Sequence, residues 1–226
     1  IRLFRSYFPK YSGRMMQVLP WGPAGLIDLS HRDEIRNRFA FGAGDVVCVF
    51  GGQLIPGREI ERIGELAQRV SETLPTVRFA IAGSGPLAGL IEQQAANLPN
   101  LTFLGKLSRS RYCELLAAAD IGIVLTSADF KVPNFPSKTV DYFRAQLPIL
   151  GAVETFGDYT SIINEEIKAG LSCSVEDTAQ LEKNLRVLVS DAAYRTECGQ
   201  RGADYYLNYM SASNVVLRVA GDETCC

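Results

Sequence analysis

Residues 46–58 read VVCVFGGQLIPGR, an apolar run that leads into a loop with three glycines. Beyond the loop, apolar residues recur at helical spacing, at Ile60, Ile63, Ala67 and Val70. An apolar run, a glycine turn and an amphipathic helix are typical of a β–α unit, because a parallel strand that is buried on both faces is apolar throughout. The stretch therefore predicts the first strand and the first crossover helix of an α/β domain.

The same unit recurs along the chain. Further apolar runs extend the prediction to strands at 46–50, 77–83, 101–105, 121–126, 148–153 and 171–175. Helical patterns lie between them, at 60–74, 86–97, 109–119, 137–146, 159–168 and 177–190, and Asp177 is predicted to cap the last. Each crossover should be right-handed. The pattern predicts a doubly wound parallel sheet of the Rossmann-like α/β class, followed by C-terminal helices.

Three segments of the chain differ in pattern. Residues 1–40 are interrupted by prolines and glycines, and only MMQVL at 15–19 resembles a strand. We expect this part to be a linker segment from a preceding domain, which fits a chain that begins with Ile1. Residues 41–190 carry the β–α alternation of a ligand-binding domain, and residues 191–226 are predicted to be helical.

Composition argues against several functional classes. The 23 basic and 25 acidic residues give a net charge of -2, so the whole chain offers no electrostatic surface for nucleic acid or an anionic membrane. The six cysteines lack CxxC spacing, which favours free thiols over a zinc site or a disulfide framework. No apolar run approaches the roughly 20 residues that span a bilayer, and no signal-peptide core is present. We expect a cytoplasmic, reducing compartment.

Histidine occurs once, at His31. A single histidine next to Arg32 and Asp33 cannot build a multi-histidine metal site, and the sequence offers no serine–histidine–aspartate arrangement. If the chain takes part in catalysis, it does so by binding and electrostatics, and the general base comes from elsewhere.

The loop after the first strand is the first candidate site, because ligands of open α/β sheets bind outside the carboxyl ends of the strands. Backbone amides at Gly51, Gly52 and Gln53 can approach an anion closely. We predict that Arg58 stands in the first turn of the following helix and bonds to a phosphate. A tight turn with a solvated arginine explains the same residues.

A second glycine loop, Gly83-Ser84-Gly85-Pro86, follows the next predicted strand. It lacks the third glycine of the dinucleotide-binding fingerprint, which argues against a nicotinamide or flavin cofactor. Gly83 and Gly85 either contact a ligand or form a purely structural turn.

A third candidate site is the sequence NFPSKTVD at 134–141, a loop that leads into a helix. Ser137 can cap that helix, residues 137–139 would offer free amides, and Lys138 adds a positive charge. Asp141 follows about one turn later. A diphosphate at the helix tip, with a ribose diol beyond it, would meet donors and then a carboxylate. The alternative is a capped surface helix with an acidic first turn.

The order of these features resembles the C-terminal, donor-binding domain of family 4 glycosyltransferases, the glycosyl transferases group 1 of the GT-B fold. The stretches that carry the resemblance extend over most of residues 15–190: MMQVLPWGPAGLID, GGQLIPGR, VRFAIAGSGP, NLTFLGKLSRSRYCELLAAADIGIVLTS and FPSKTVDYFRAQLPIL. The first of them is similar to the family's crossing from the acceptor domain. The resemblance implies one half of a GT-B fold.

The resemblance also implies roles for individual residues. The loop around Gly52 and Gln53 would bind the donor diphosphate, with Gln53 in place of a family arginine and Arg58 in place of a family lysine. We expect Lys138 to replace the lost charge. Of the family's paired glutamates, the ribose ligand falls on Asp141 and the sugar-side acid falls on Pro133.

Two further positions follow from the resemblance. Asn134, next to Pro133, could supply polar contacts to the sugar. The turn Gly105-Lys106-Leu107 is similar to the family's base-binding turn, where the backbone near Leu107 would meet the nucleobase edge; the alternative is a plain strand end before a helix capped by Ser108.

The activity implied is a retaining transfer from a UDP- or GDP-sugar, in which Arg58 and Lys138 neutralise the leaving diphosphate. No metal and no further cofactor are expected. A glycan or a lipid-linked saccharide would be the acceptor, held by the missing N-terminal domain, as in bacterial surface polysaccharide synthesis. The full-length protein could associate peripherally with a membrane, whereas the isolated domain should bind a donor without turning it over.

Two alternatives remain at this point. A nucleotide-sugar epimerase-like domain would also bind a diphosphate in β–α loops, although it would need acid and base residues. A catalytically silent nucleotide-sugar-binding module would explain why Gln53 and Pro133 stand where the family has charged residues.

Overall fold

The structure is a computed structural model that describes residues 8–10, 12, 18–132 and 134–221. The strands in these ranges are β1 (Val46–Gln53), β2 (Val77–Ser84), β3 (Leu101–Phe103), β4 (Ile121–Leu125), β5 (Ile149–Val153) and β6 (Gly170–Ser174). The helices that precede and join them are α1 (Arg32–Arg38), α2 (Glu61–Val70), α3 (Ala88–Asn97), α4 (Arg109–Ala118), α5 (Lys138–Arg144), α6 (Tyr159–Ser161) and α7 (Thr178–Ser190). Two more follow at the C-terminal end, α8 (Ala192–Tyr205) and α9 (Ala212–Gly221).

The six strands form one parallel sheet in the order β3-β2-β1-β4-β5-β6. The chain builds outward from β1 to β3 and then returns to the other side of β1 with β4. This order confirms the predicted doubly wound Rossmann-like fold. It also places a switch point between β1 and β4, where a crevice opens at the carboxyl ends of the strands.

Several predicted bounds shift. Strands β1 and β2 extend beyond their apolar runs because their backbones stay paired through Gly52↔Gly83 and Gln53↔Ser84. The helix predicted at 159–168 begins as a short α-helix and continues as a π-helical turn, Ile162–Ile167. A second π-helical turn, Tyr206–Met210, follows α8.

The N-terminal segment contains a helix that the sequence pattern did not predict, α1. The strand predicted at 15–19 falls largely outside the described residues, and residues 18–19 have no regular structure. The division into a linker, a ligand-binding domain and C-terminal helices stays a prediction.

Helix α1 is held to the sheet by an arginine–aspartate cluster. Arg36, only 6% exposed, donates to the Ala118 carbonyl at 2.8 Å and to the Asp120 carboxylate at 3.0 Å. Arg32 donates to the other Asp120 oxygen at 2.6 Å. Asp120 also accepts from the Val47 amide at 2.8 Å. One carboxylate before β4 therefore ties together α1, β1 and β4.

Apolar residues fill both faces of the sheet. On one face the core contains Val49, Val124 and Ile149 with Phe143 of α5. On the other it contains Phe50 and Ile123 with residues of α2 and α7.

Two predicted caps are confirmed: Ser108 accepts from the Arg111 amide at the start of α4, and Asp177 accepts from the Gln180 amide at the start of α7.

The cysteines within the described ranges are free thiols, at Cys48, Cys113, Cys173 and Cys198. Burial raises the pKa of the Cys48 thiol well above its usual range, so this thiol stays protonated. Cys225 and Cys226 lie outside the described residues.

In the part of the chain that the structure describes, no helix combines the length and the apolar character that crossing a membrane requires.

We predict that Asp120→Asn destabilises the fold by about 3 kcal/mol, because it leaves the buried Arg36 charge without its partner. Urea denaturation measures the free energy of unfolding. The matched control is Glu197→Gln, which breaks an exposed pair with Arg201 and should cost less than about 0.5 kcal/mol. Equal losses in the two variants would contradict the role of Asp120.

Candidate functional site

A cavity of about 770 Å³ lies at the carboxyl ends of β1 and β2. Its lining comes from five parts of the chain: Pro20, Trp21, Gly22 and Pro23; Gly51, Gly52, Gln53 and Arg58; Ala82, Gly83 and Ser84; Lys106, Leu107, Arg109 and Tyr112; and Ser137, Lys138, Val140 and Asp141. The cavity is called the pocket below. It occupies the place that the sheet order assigns to a ligand.

Close backbone packing makes the floor of the pocket. A Cβ at Gly83 would collide with the Gly52 carbonyl, and a Cβ at Gly51 would collide with the Tyr112 ring. Gly85 packs in the same way against the Leu54 backbone and, like Gly52, has a φ of 151°. Gly83 and Gly85 leave room for the neighbouring backbone, and Gly51 leaves room for the Tyr112 ring. Gly85 lies behind the floor and is not among the described residues that line the pocket.

Arg58 reaches the pocket from a loop. The prediction that it stands in the first turn of a helix is wrong, because α2 begins only at Glu61. The chain turns twice before that helix, with positive φ at Gly57 and Glu59. The Arg58 guanidinium lies over the Phe130 ring at 5.9 Å and lines the pocket.

Lys138, the first residue of α5, is the second cation of the pocket. Its Nζ lies 4.3 Å from the centroid of the Phe50 ring. Burial, and then repulsion by Arg58, lower the pKa of Lys138 to about 8. A lysine whose charge is disfavoured by a neighbouring arginine is typical of a site that an anion completes.

Two predictions about the start of α5 are wrong. Ser137 lines the pocket but does not cap the helix, since its backbone is already helical, with φ -60° and ψ -24°, and its hydroxyl accepts no capping bond. The Thr139 amide is not free, because it donates to the Pro136 carbonyl at 3.0 Å. The Thr139 side chain is buried and its hydroxyl lies 2.8 Å from that of Tyr159, away from the pocket lining.

Asp141 lines the pocket as an ion-paired carboxylate. Arg109 donates to Asp141 Oδ2 at 2.7 Å and to Oδ1 at 2.5 Å. Arg144 stands 3.6 Å from Oδ1. The hydrogen bond to Asp141 raises the pKa of Arg109, so the guanidinium stays charged. Sequence reasoning missed Arg109, although its place directly after the cap Ser108, at the start of a helix that follows a strand, was a usable signal.

The remaining predicted residues divide between the pocket and its surroundings. Leu107 lines the pocket together with Lys106. Asn134 is half-buried and is not among the described lining residues. Pro133 lies outside the described residues.

A wall of the pocket comes from the N-terminal segment, which the sequence reading assigned to no site. Gly22 forms a bridge to Ser211, with its amide donating to the Met210 carbonyl at 3.1 Å and its carbonyl accepting from the Ala212 amide at 2.9 Å. This anchor holds Trp21, which is 60% exposed, at the rim.

The pocket is electropositive. The described lining includes four cationic side chains, Arg58, Lys106, Arg109 and Lys138, and one carboxylate, Asp141. Within the ranges that the structure describes, no group of three or more histidine, cysteine, aspartate or glutamate residues could hold a metal ion. The arrangement can bind an anion through side-chain charges and the backbone at the strand ends.

Residues 31–205 match the sequence profile of the family Glycosyl transferases group 1. They make up most of the chain and contain the sheet with almost all of its helices. The chain belongs to this family. No curated protein matches the sequence.

Solved structures share the fold. HepE from Anabaena, determined in complex with UDP, superposes with a TM-score of 0.73 at 15% identity, over 100% of this chain and 62% of HepE. WaaG, a glycosyltransferase involved in lipopolysaccharide biosynthesis, gives 0.66 at 17% identity, over 96% of this chain and 60% of WaaG. The C-terminal domain of the group 1 glycosyl transferase LpcC from Francisella tularensis gives 0.63 at 16% identity, over 85% of this chain and 96% of that domain. The chain therefore spans about three fifths of HepE and WaaG.

We predict that Gly83→Ala destabilises the protein by about 1 to 3 kcal/mol, because the new methyl group forces β2 away from the Gly52 carbonyl. Gly89→Ala is the matched control. Gly89 is exposed in α3 with open space at its Cβ, so the substitution should stabilise by roughly 0.5 kcal/mol. Chemical denaturation of both variants checks the prediction; an equal change in the free energy of unfolding in the two variants would contradict the role of the contact with Gly52.

Proposed function

We propose that this chain is the C-terminal, donor-binding domain of a retaining family 4 glycosyltransferase of the GT-B type, and that its pocket binds a UDP- or GDP-sugar. The observation that carries the proposal is the pairing of Arg58 and Lys138 at the carboxyl ends of the strands. Arg58 disfavours the charge of Lys138, and a diphosphate between them would offset that repulsion. HepE, which has the same fold, was determined with UDP.

In the proposed reaction, the chain stabilises the leaving nucleoside diphosphate. Negative charge grows on the diphosphate as the glycosidic bond to the sugar breaks. Arg58 offers a bidentate fork and Lys138 a point charge, both held in place before the reaction. These cations can neutralise the leaving group without a metal ion. Gly51, Gly52 and Gln53 add backbone close to the phosphates.

The nucleoside would lie toward the other end of the pocket. The backbone at Leu107 faces the nucleobase, and Asp141, one turn after Lys138, accepts the ribose hydroxyls. Asn134 is left outside the lining, so we do not assign it a donor contact.

The acceptor belongs to the rest of the protein. A glycan or a lipid-linked saccharide would bind an N-terminal domain, and that domain or the acceptor itself would supply the proton-transfer groups. A cytoplasmic enzyme of bacterial surface polysaccharide synthesis, peripherally attached to a membrane through its full length, fits this division. WaaG, which has this fold, is involved in lipopolysaccharide biosynthesis. Alone, this chain would bind a donor and not turn it over.

A catalytically silent nucleotide-sugar-binding module is the second candidate. It is favoured by the Arg109 pair, which occupies the Asp141 carboxylate. An epimerase-like domain has no such support, because His31 pairs with Glu34 at 3.6 Å on an exposed surface and does not line the pocket. Turnover by the full-length protein separates the enzyme from the silent module.

Isothermal titration of UDP and GDP tests the donor site. Arg58→Ala should weaken binding by about 10- to 100-fold, because one charge-assisted hydrogen bond contributes about 1.5 to 3 kcal/mol. Arg78→Ala is the matched control, since it removes an arginine paired with Asp45 at the opposite edge of the sheet. The donor-site proposal fails if wild type does not bind at millimolar nucleotide, or if both variants bind alike.

Binding should also weaken as the pH rises through 8. Lys138 has a pKa of about 8, so it is a cation below that pH and neutral above it. A bound diphosphate restores the proton, and the apparent affinity can then fall by up to about tenfold per pH unit above 8. Titration in buffers of different ionisation enthalpy measures the proton uptake. In Lys138→Arg the charge persists, and the pH dependence should flatten.

A further inference from the structure

Arg109 and Asp141 join two helices at the opening of the pocket. Arg109 is the first residue of α4 and Asp141 lies in α5, and both line the pocket. The two guanidinium nitrogens of Arg109 bind both carboxylate oxygens, at 2.7 and 2.5 Å. The Arg109 side chain is 56% exposed and that of Asp141 is 19% exposed. The pair therefore sits where an entering ligand meets it.

The pair uses the acceptor positions that a diol would need. A carboxylate offers about four acceptor positions, two on each oxygen. The Arg109 fork takes one on each oxygen, and Arg144 faces Oδ1 from 3.6 Å. The two nitrogens of the fork approach from the open end of the carboxylate. A vicinal diol that donates to both oxygens at once approaches from the same side, so it competes with Arg109 for that side.

We propose that Arg109 is a specificity-determining residue of this site: its guanidinium pairs with Asp141, so that a ligand's ribose diol binds both carboxylate oxygens only by displacing it. The inference rests on the proposed function, because it takes the ligand to be a nucleoside diphosphate. Arg109 thereby reduces the difference in binding affinity between a nucleotide with ribose and one whose sugar lacks the diol. It also neutralises Asp141, so that an anion without ribose meets no bare carboxylate.

Displacement of Arg109 is feasible for two reasons. Water already reaches more than half of its side chain, so the released guanidinium is solvated. Asp141 keeps a charged neighbour, because the Arg144 side chain is only 11% exposed and stays beside Oδ1. The exchange therefore replaces one bidentate partner by another without leaving a buried charge alone.

Arg111, two residues further along α4, provides a matched control. It donates to Glu114 at 2.6 Å and lies over the Phe39 ring at 4.2 Å. It is not among the described residues that line the pocket. Arg109→Met and Arg111→Met remove the same charge from one helix, and each keeps an unbranched side chain.

The experiment compares three ligands by isothermal titration: UDP, 2′,3′-dideoxyuridine diphosphate and inorganic diphosphate. In Arg109→Met, the preference for UDP over the dideoxy nucleotide should rise roughly two- to fivefold, as expected for loss of a solvent-exposed pair. Binding of the dideoxy nucleotide and of inorganic diphosphate should not tighten. Arg111→Met should keep the wild-type preference. In an Asp141→Asn background, Arg109→Met should add nothing to the preference.

Other outcomes overturn the inference in distinguishable ways. If Arg109→Met weakens the binding of all three ligands equally, Arg109 is a phosphate ligand. If the preference for UDP over the dideoxy nucleotide is unchanged, the pair plays no part in recognition of the diol. In both cases wild type still binds UDP, so the proposed function survives. If wild type binds no nucleotide, the proposed function fails. UDP binding by Arg109→Met alone would then still support the role of Arg109, and absence of binding in both would overturn it as well.

Discussion

At the carboxyl ends of β1 and β2 the two backbones contact each other directly, with no side chain between them. Gly83 lies against the Gly52 carbonyl, and Gly85 lies against the Leu54 backbone. Because these positions carry no Cβ, the strands stay paired to Gln53 and Ser84, well past the apolar runs that define them. Peptide groups at the ends of the two strands therefore form the floor of the pocket, and side chains from other parts of the chain surround it.

Positively charged side chains from distant parts of the chain line the pocket around this floor. Arg58 comes from the loop after β1 and Lys138 from the helix that follows β4, and they meet because β1 and β4 are neighbours at the switch point of the sheet. The lysine is half-buried, and its ammonium lies over the Phe50 ring, which costs part of its hydration. Burial and the nearby guanidinium lower its pKa, and the attraction of an anion would raise it again. Electrostatic preorganisation here follows directly from strand order.

The sequence could predict the sheet but not all of the site. Strands such as β4 are continuous apolar runs, and the helices between them follow apolar periodicity, so the class and the order of elements were within reach. Helix α1 was missed because its anchor is Arg36, a residue that reads as surface yet is buried. Thr139 was predicted to contact the ligand together with Ser137 and Lys138, whereas its side chain is buried and its hydroxyl lies 2.8 Å from that of Tyr159. Such misses depend on side-chain direction, which spacing alone does not give.

Two arginine–aspartate pairs in this fold show why residue type was insufficient. Arg36 and Asp120 are both largely buried, and Asp120 also holds the Val47 amide, so that pair cannot open without unfolding the junction of α1 and the sheet. Arg109 and Asp141 have the same chemistry, but the arginine faces solvent and the aspartate faces a cavity. A ligand can compete for the second pair and not for the first. Exposure at the carboxyl ends of the strands therefore makes the second pair exchangeable, and an exchangeable pair can take part in recognition.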